Sequence, residues 1–284
     1  MAEIYNPKRI IENLEKFSIY PYQHLMPVLT VIIRKDARQD ETSYLKSLQR
    51  KAKEYGAMVV VEYASNIRDA ALAIQSLRKD YKVNGIIILS SFGKESDRVL
   101  KNLIPLRLDL DCVSASTFGE LITSTSPIGF RLGPCTAVAC YKILEDIYGT
   151  DDFEYKSIGI VNRSLRVGRP LAEILTQHNG TVTVYHTKSK IDLKQHDIVI
   201  CAIGKPNYFT RKDFREGQVV IDVGINVLPN NKICGDVDFE DVKDILGETG
   251  IITPVPGCCG QLTTTILFSK LFISAAELAG ERNE

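Results

Sequence analysis

Tryptophan is absent from the 284 residues, so no indole is available for stacking or for anchoring a core. An excess of one charge is absent too: 35 Lys and Arg balance 35 Asp and Glu, a formal net charge of zero. That describes an ordinary hydrated surface and excludes the chain-wide basic excess of a nucleic-acid binder. No apolar run approaches the ~20 residues that a membrane span requires. The opening stretch, MAEIYNPKRIIENLEKF, is charged and amphipathic and lacks the apolar centre of a signal peptide. The expectation is a cytoplasmic protein with neither nucleic acid nor membrane as partner. The seven cysteines (112, 135, 140, 201, 234, 258 and 259) contain no C-x-x-C pair. Zinc and thioredoxin-type sites are therefore set aside and no metal is expected. Most of these thiols read as small buried apolar groups. No internal repeat stands out, and the length suits two modest domains or one large one.

What the chain does contain is concentrated between Ser157 and Thr187. Ile158 to Val161 is a short apolar run suited to a buried strand. A polar turn follows, Asn162-Arg163-Ser164-Leu165-Arg166-Val167-Gly168, then an amphipathic helix from about Arg169 to His178. Gly180 ends the helix, and Thr181 to Tyr185 alternates as a second strand. This is a βαβ unit, with Pro170 in the first helical turn, where its missing N–H costs nothing. Free backbone N–H groups and the helix dipole at that turn predict an anion site. Only Gly168 of the turn is glycine, so the generic dinucleotide fingerprint G-x-G-x-x-G is not present.

Upstream, residues 4–17 suggest a helix, and Pro27 to Arg34 a strand. Thr42 to Tyr55 carries Tyr44, Leu45, Leu48, Ala52 and Tyr55 on one helical stripe. Met58 to Tyr63 reads as a strand, Ile67 to Leu77 as a helix, and Gly85 to Leu89 as a fully apolar strand. The β-α-β-α order predicts a parallel sheet covered by helices. Leu108 to Thr136 is loop-rich, with Gly119, Pro127, Gly129, Gly133 and Pro134, and Ala137 to Tyr148 looks helical. The charged run Gly149 to Lys156 is the natural domain boundary. Beyond the βαβ unit, strands 197–203 and 218–223 end in Gly204-Lys205-Pro206 and in Gly224, at the edge where open α/β sheets bind ligands. A last helix runs from Leu262 to about Leu278.

Asn162-Arg163-Ser164 followed by Val167-Gly168-Arg169-Pro170 resembles the nucleotide loop G-R-S-x-x-V-G-x-P of the methylenetetrahydrofolate dehydrogenase/cyclohydrolase (FolD) family, with Asn162 in place of the first glycine. Tyr185-His186-Thr187-Lys188-Ser189 is similar to its C-H-S-K-T, and Ile203-Gly204-Lys205-Pro206 to its V-G-K-P. The stretches 220–226 and 235–239 match almost letter for letter. Thr253-Pro254-Val255-Pro256-Gly257, with Gly260 and Thr263, resembles T-P-V-P-G-G-V-G-P-M-T. The resemblance covers the whole chain and is dense beyond about Tyr155.

The resemblance implies two α/β domains with a cleft between them. Residues 1–148 plus 258–284 would form the folate-binding, catalytic domain, and 149–257 a doubly wound, Rossmann-like NAD(P)-binding domain. It implies a homodimer as well. On the matching positions it assigns cofactor binding to Asn162, Arg163, Ser164, Val167, Gly168 and Pro170 of the first turn. The second strand's end adds His186, Thr187 and Lys188, and the later loops add Ile203, Gly204 and Ile225. No carboxylate ends the second strand to hold a ribose hydroxyl, and Arg163, Arg166, Arg169 and Lys188 are near, so NADP is expected rather than NAD. The alternative for these cations is a solvated surface.

For the folate the resemblance assigns Tyr44 and Asp111 as catalytic and substrate-binding residues, with Pro256 and Gly257 as further substrate contacts. The family's catalytic helix reads Y-x-x-x-K, but Leu48 stands where the lysine belongs. Lys46 points to the opposite face, and Lys51 returns to the Tyr44 face about 10 Å along the helix. Leu89 replaces the family's glutamine after the G-I-L-V strand. In Asp109-Leu110-Asp111-Cys112 the better match to the pterin-gripping aspartate is Asp111, whose carboxylate can accept two hydrogen bonds from an aminopyrimidine edge. Core packing is the alternative for Tyr44, and a solvated turn the alternative for Asp111. The vicinal Cys258-Cys259 pair reads as two small residues that allow close backbone approach, and less readily as a redox device.

The expected activity is NADP-dependent oxidation of 5,10-methylenetetrahydrofolate to 5,10-methenyltetrahydrofolate, with cyclohydrolase activity weak or lost. Other readings fit the same residues: a full bifunctional enzyme, a dehydrogenase for another pterin-borne one-carbon unit, or a non-catalytic nucleotide-binding relative.

Overall fold

The computed structural model describes residues 1–124 and 129–281. Pro127 of the loop-rich stretch, and residues 282–284 of the expected first domain, lie outside them. The chain divides into two compact units, one of residues 1–11 and 121–263, the other of 12–120 and 264–284. The division falls earlier in the chain than the charged run at 149–156, and it gives the first eleven residues to the nucleotide-loop unit.

That unit is built on a six-stranded parallel sheet. Its order across the sheet is Glu3–Ile4, Ile251–Ile252, Val219–Asp222, Ile198–Cys201, Ser157–Val161, Thr181–Tyr185. The three central strands Val219–Asp222, Ile198–Cys201 and Ser157–Val161 are buried almost throughout, as strands covered on both faces must be. The helix Gly168–Gln177 crosses from Ser157–Val161 to Thr181–Tyr185, and its buried stripe is Leu171, Ile174 and Leu175. Gly180 follows it with the Leu175 carbonyl so near that a Cβ would sit 2.9 Å away. Val161, Val199, Cys201, Val220 and Ile252 form one core cluster together with Ala2. Residues 4–17 are not one helix. Glu3–Ile4 is an edge strand, the helix spans Lys8–Leu14, and tighter and wider turns fill 15–25.

The second unit has a three-stranded parallel sheet in the order Met58–Ala64, Val28–Arg34, Val83–Ile88. The helix Gln39–Tyr55 buries Leu45, Leu48, Ala52 and Tyr55, and Gly56 stops it in a left-handed conformation at φ 77°. Ile67–Leu77 is capped by Asn66, whose side chain accepts from the Asp69 N–H. The loop-rich stretch is more helical than its glycines suggest: Ala115–Thr123 and Gly129–Leu132 are helices, the latter in the nucleotide-loop unit, as is Cys135–Tyr148, the helix expected from Ala137. The last helix begins at Cys259 and ends at Leu278. From Thr264 on it belongs to this unit, with Ile266, Phe268, Leu271 and Phe272 buried.

Candidate functional site

In the six-stranded sheet the chain leaves Ser157–Val161 toward one edge, through Thr181–Tyr185, and later returns on its other side at Ile198–Cys201. The loops after the two neighbouring strands therefore diverge at a topological switch point, the usual ligand position of an open α/β sheet. The first loop is Asn162–Val167, and the second begins at Ala202.

Asn162 ties these loops together. Its Nδ2 donates to the Ala202 carbonyl, while its Oδ1 accepts from the Ser164 N–H at 2.7 Å and the Gly168 N–H at 3.1 Å. Ser164 continues the pattern: its Oγ accepts from the Val167 N–H at 3.2 Å and its carbonyl from the Arg169 N–H at 3.1 Å. The Leu171 N–H donates to the Val167 carbonyl. The first helical turn thus spends its N–H groups within the protein. The free anion site expected there is not what the chain builds. Gly168 is required because a Cβ would lie 2.0 Å from the Asn162 carbonyl oxygen. Arg163, Ser164, Arg166 and Arg169 are exposed, and Val167 is half-buried.

The second loop rests on a carboxylate that the sequence reading passed over. Asp236 is 0% exposed, and its side chain accepts from the N–H groups of Ile203, Gly204 (3.0 Å) and Lys205 (2.9 Å) and from Asn226 Nδ2 (3.0 Å). Beneath it, Asp222 accepts from the N–H groups of Gly224 (2.9 Å), Asp236 (3.0 Å) and Val237 (2.9 Å). Burial pushes the Asp222 carboxyl up to about 7, against the pull of those backbone donors. A Cβ on Gly224 would meet the Asp236 carboxyl at 2.3 Å, and one on Gly235 the Asp222 carboxyl at 1.8 Å, so both carboxylates need glycine neighbours. Gly204 takes φ 68° with open space beside it, and Ile225 is 62% exposed.

At the end of Thr181–Tyr185, His186 is half-buried, and its Nδ1 accepts from the Lys188 N–H at 3.1 Å. Thr187 and Lys188 are exposed, and Tyr185 is buried, bonded through its hydroxyl to His196. The strand's end presents one hydroxyl and one cation and no carboxylate.

In the second unit Tyr44 lies on the exposed side of the helix Gln39–Tyr55, at 37% exposure, whereas Leu48 one turn on is 0% exposed. The core-packing alternative thus describes Leu48 and not Tyr44. Lys51 donates to Glu54 at 2.9 Å and to the Tyr55 hydroxyl at 3.2 Å. Burial lowers its pKa, but these two partners outweigh burial and raise it, which makes it a poor base. Leu89 is half-buried, with its N–H donating to the Ile32 carbonyl. Asp109 and Asp111 part company. Asp109 is buried and accepts from the N–H groups of Val113 (3.1 Å) and Ser114 (2.8 Å) and from the Thr117 hydroxyl (2.9 Å). Asp111 keeps partial exposure. Behind that turn, buried Lys270 of the last helix donates to the Leu110 carbonyl at 3.3 Å and to Cys112 Sγ at 3.4 Å.

Pro256 is exposed and Gly257 half-buried, at φ 124°, a conformation open to glycine. Cys258 and Cys259 are buried, and no disulfide joins any of the seven cysteines. The bond with Cys259, together with burial, pushes the thiols of Cys140 and Cys258 well up, so neither is a ready thiolate. Among the described residues no group of three or more His, Cys, Asp or Glu is placed to hold a metal ion, and no helix is long and apolar enough to cross a membrane.

The profile of the tetrahydrofolate dehydrogenase/cyclohydrolase NAD(P)-binding domain matches residues 134–279. The bifunctional FolD protein of Coprothermobacter proteolyticus is 37% identical over 265 residues, spanning 90% of this chain and 94% of its own. The chain belongs to the tetrahydrofolate dehydrogenase/cyclohydrolase (FolD) family. Solved FolD structures agree. The bifunctional enzyme of Campylobacter jejuni superposes with a TM-score of 0.87 at 28% identity, covering 98% of this chain and 99% of its own. That of Thermoplasma acidophilum gives 0.82 at 32% identity, over 98% and 100%. The fold expected from the sequence, two α/β units with a Rossmann-like NAD(P)-binding sheet, is the FolD fold. Within that FolD frame, Asp222, Asp236 and Asn226 are the residues whose roles the sequence reading missed. They lie in the two stretches that match the family almost letter for letter, and that match was the available signal.

Proposed function

We propose that this FolD-family protein is an NADP-dependent 5,10-methylenetetrahydrofolate dehydrogenase with little or no cyclohydrolase activity. The observation that carries the reading is the pair of loops at the switch point, Asn162–Val167 and Ala202–Pro206, fixed by Asn162 and Asp236. Their backbones are set before a ligand arrives, and Gly204 leaves open space at the strand ends. These residues fit a dinucleotide. NADP, when bound, supplies the hydride acceptor. The hydride leaves a methylene carbon flanked by two nitrogens, whose lone pairs stabilise the cation that develops. That step asks the protein for orientation and not for a general base. In this reading Asp111 grips the pterin edge, Tyr44 lines the substrate, and Pro256 and Gly257 give backbone access to it.

Arg163, with Lys188 and Thr187, receives the 2′-phosphate. Arg163→Ala is expected to weaken NADP by about 10- to 100-fold, one charge-assisted contact of ~1.5–3 kcal/mol, and NAD much less. Titration of both cofactors against both proteins measures this. Equal losses, or an NAD preference in the unmodified protein, would count against it. The activity itself is tested by adding methylenetetrahydrofolate and NADP and following reduced cofactor. Absence of reduction, with NADP binding intact, would favour a non-catalytic nucleotide-binding relative. Reduction with a different one-carbon pterin only would move the substrate. We also propose a cytoplasmic location and a homodimer; size-exclusion chromatography with light scattering checks the homodimer, and fractionation of cells the location.

A further inference from the structure

The Asn162 side chain makes three hydrogen bonds, all to backbone. Its oxygen takes two N–H groups, one two residues on and one at the start of the helix Gly168–Gln177. Its nitrogen gives to the Ala202 carbonyl, across the gap between Ser157–Val161 and Ile198–Cys201. Those strands are hydrogen-bonded neighbours, but their pairing stops at Val161 and Cys201, and beyond that point the two loops separate. Asn162 is the first residue past the end of the pairing, and its carboxamide extends the link by one rung. The second loop is held from the opposite side by Asp236, whose bonds begin at Ile203, the residue after Ala202. The two anchors therefore meet on adjacent residues of one chain segment.

We infer that Asn162 is a positioning residue for the dinucleotide and not a ligand to it: its amide joins the two cofactor loops and fixes their spacing before binding. The inference rests on the NAD(P)-binding reading of this unit and gives one of its residues a different task. A carboxamide is the group the geometry requires. Aspartate would keep the oxygen that serves Ser164 and Gly168 but would set a second oxygen against the Ala202 carbonyl. Alanine or glycine would leave all three backbone groups to water in the free protein, so that arrival of the cofactor must order both loops. The first helical turn, already satisfied by Asn162 and Ser164, then contributes rigidity to the site, and charge is met by the exposed arginines.

The test uses the whole protein with Asn162→Ala and Asn162→Asp. Affinity for NADP and for NAD is measured by calorimetry, and KM and kcat are measured for both substrates. Roughly tenfold weaker binding of both cofactors is expected for each variant, the effect of leaving one or two loop hydrogen bonds to be made on binding. The loss should fall on cofactor KM, with kcat and folate KM moving much less, and Asp should not rescue Ala. In the cofactor-free protein, amide exchange at Ser164 and Gly168 should be slow and should accelerate in Asn162→Ala. Binding by Asn162→Ala within twofold of the unmodified protein overturns the proposal. So does a uniform loss in both substrates' KM together with a lowered melting temperature, which marks a general structural role. If the unmodified protein binds neither NADP nor NAD, the functional reading fails and the proposal with it. If it binds and Asn162→Ala binds equally, the proposal alone fails.

Discussion

Leu48 is completely buried on the helix that presents Tyr44, and an apolar side chain there can neither hold nor move a proton. Hydrolysis of a methenyl product needs water to attack and protons to travel, and a positioned lysine typically contributes ~10²–10⁴-fold to such a step. Lys51 is engaged by Glu54 and Tyr55, and Leu89 offers no polar side chain. Methenyltetrahydrofolate is therefore expected to accumulate. Decay of its ultraviolet absorbance, in a buffer that does not catalyse hydrolysis, should be no faster with protein than without. Rapid decay that survives Lys51→Ala would reveal another base. A second residue-scale expectation comes from Asp222. Its carboxyl titrates near 7 in the fold against an ordinary value of 3.8, so the folded state holds a proton that the unfolded state has released. Its contribution is complete below the unfolded value and is lost as pH rises through the folded one, at up to ~1.4 kcal/mol per unit between about 4 and 7. Denaturant unfolding of the native protein should weaken over that window relative to Asp222→Asn, which has no such titration. Parallel curves for the two proteins would show that the three N–H donors keep Asp222 ionised.

At the scale of elements, the turn Asp109–Cys112 illustrates what sequence can and cannot tell. Two aspartates stand two apart in a stretch that reads as a polar turn. Nothing in the letters says that Asp109 caps the following helix through Val113, Ser114 and Thr117 while Asp111 remains accessible. Asp109→Ala should leave the buried Ser114 N–H and the half-buried Val113 N–H without their acceptor, costing ~1–3 kcal/mol of stability. Asp111→Ala should abolish folate binding with NADP binding intact. If Asp109→Ala is stable and folate-blind, the assignment belongs to Asp109. The βαβ unit 157–185 was legible because its signals are local: an apolar run, Pro170 in the first turn, Gly180 after the last. The Asp222–Asp236 pedestal was not, because an isolated aspartate beside glycine looks like a solvated turn until the chain brings 203–205 onto it. The free helix N-terminus was misread for a related reason. Asn162 lies six residues before Gly168, and no spacing rule announces that its side chain will fold back onto the helix.

At the scale of the molecule, each compact unit is discontinuous. The nucleotide-loop unit needs residues 1–11, where Ala2 joins its core and the buried Tyr5 donates to Asp146 at 2.7 Å. The other unit needs the last helix, where Phe268 meets Tyr55 edge-on with ring centroids 5.5 Å apart. Deleting residues 1–11 should lower the melting temperature of the nucleotide-loop unit and weaken cofactor binding without altering the 203–205 loop chemistry. A calorimetric scan with and without NADP reads both effects, and an unchanged midpoint would show that the edge strand is dispensable.

The two-residue strand Glu3–Ile4 has a further consequence, for the time at which the protein can fold. Its partner is Ile251–Ile252, almost the whole length of the chain away. Glu3–Ile4 is made well before Ile251–Ile252, so its place on the sheet does not exist until that later strand has emerged. This edge strand is therefore seated late, and until then Ala2 stands outside the core cluster it later joins. Until Ile251–Ile252 arrives, that segment is open to a chaperone or a neighbouring nascent chain.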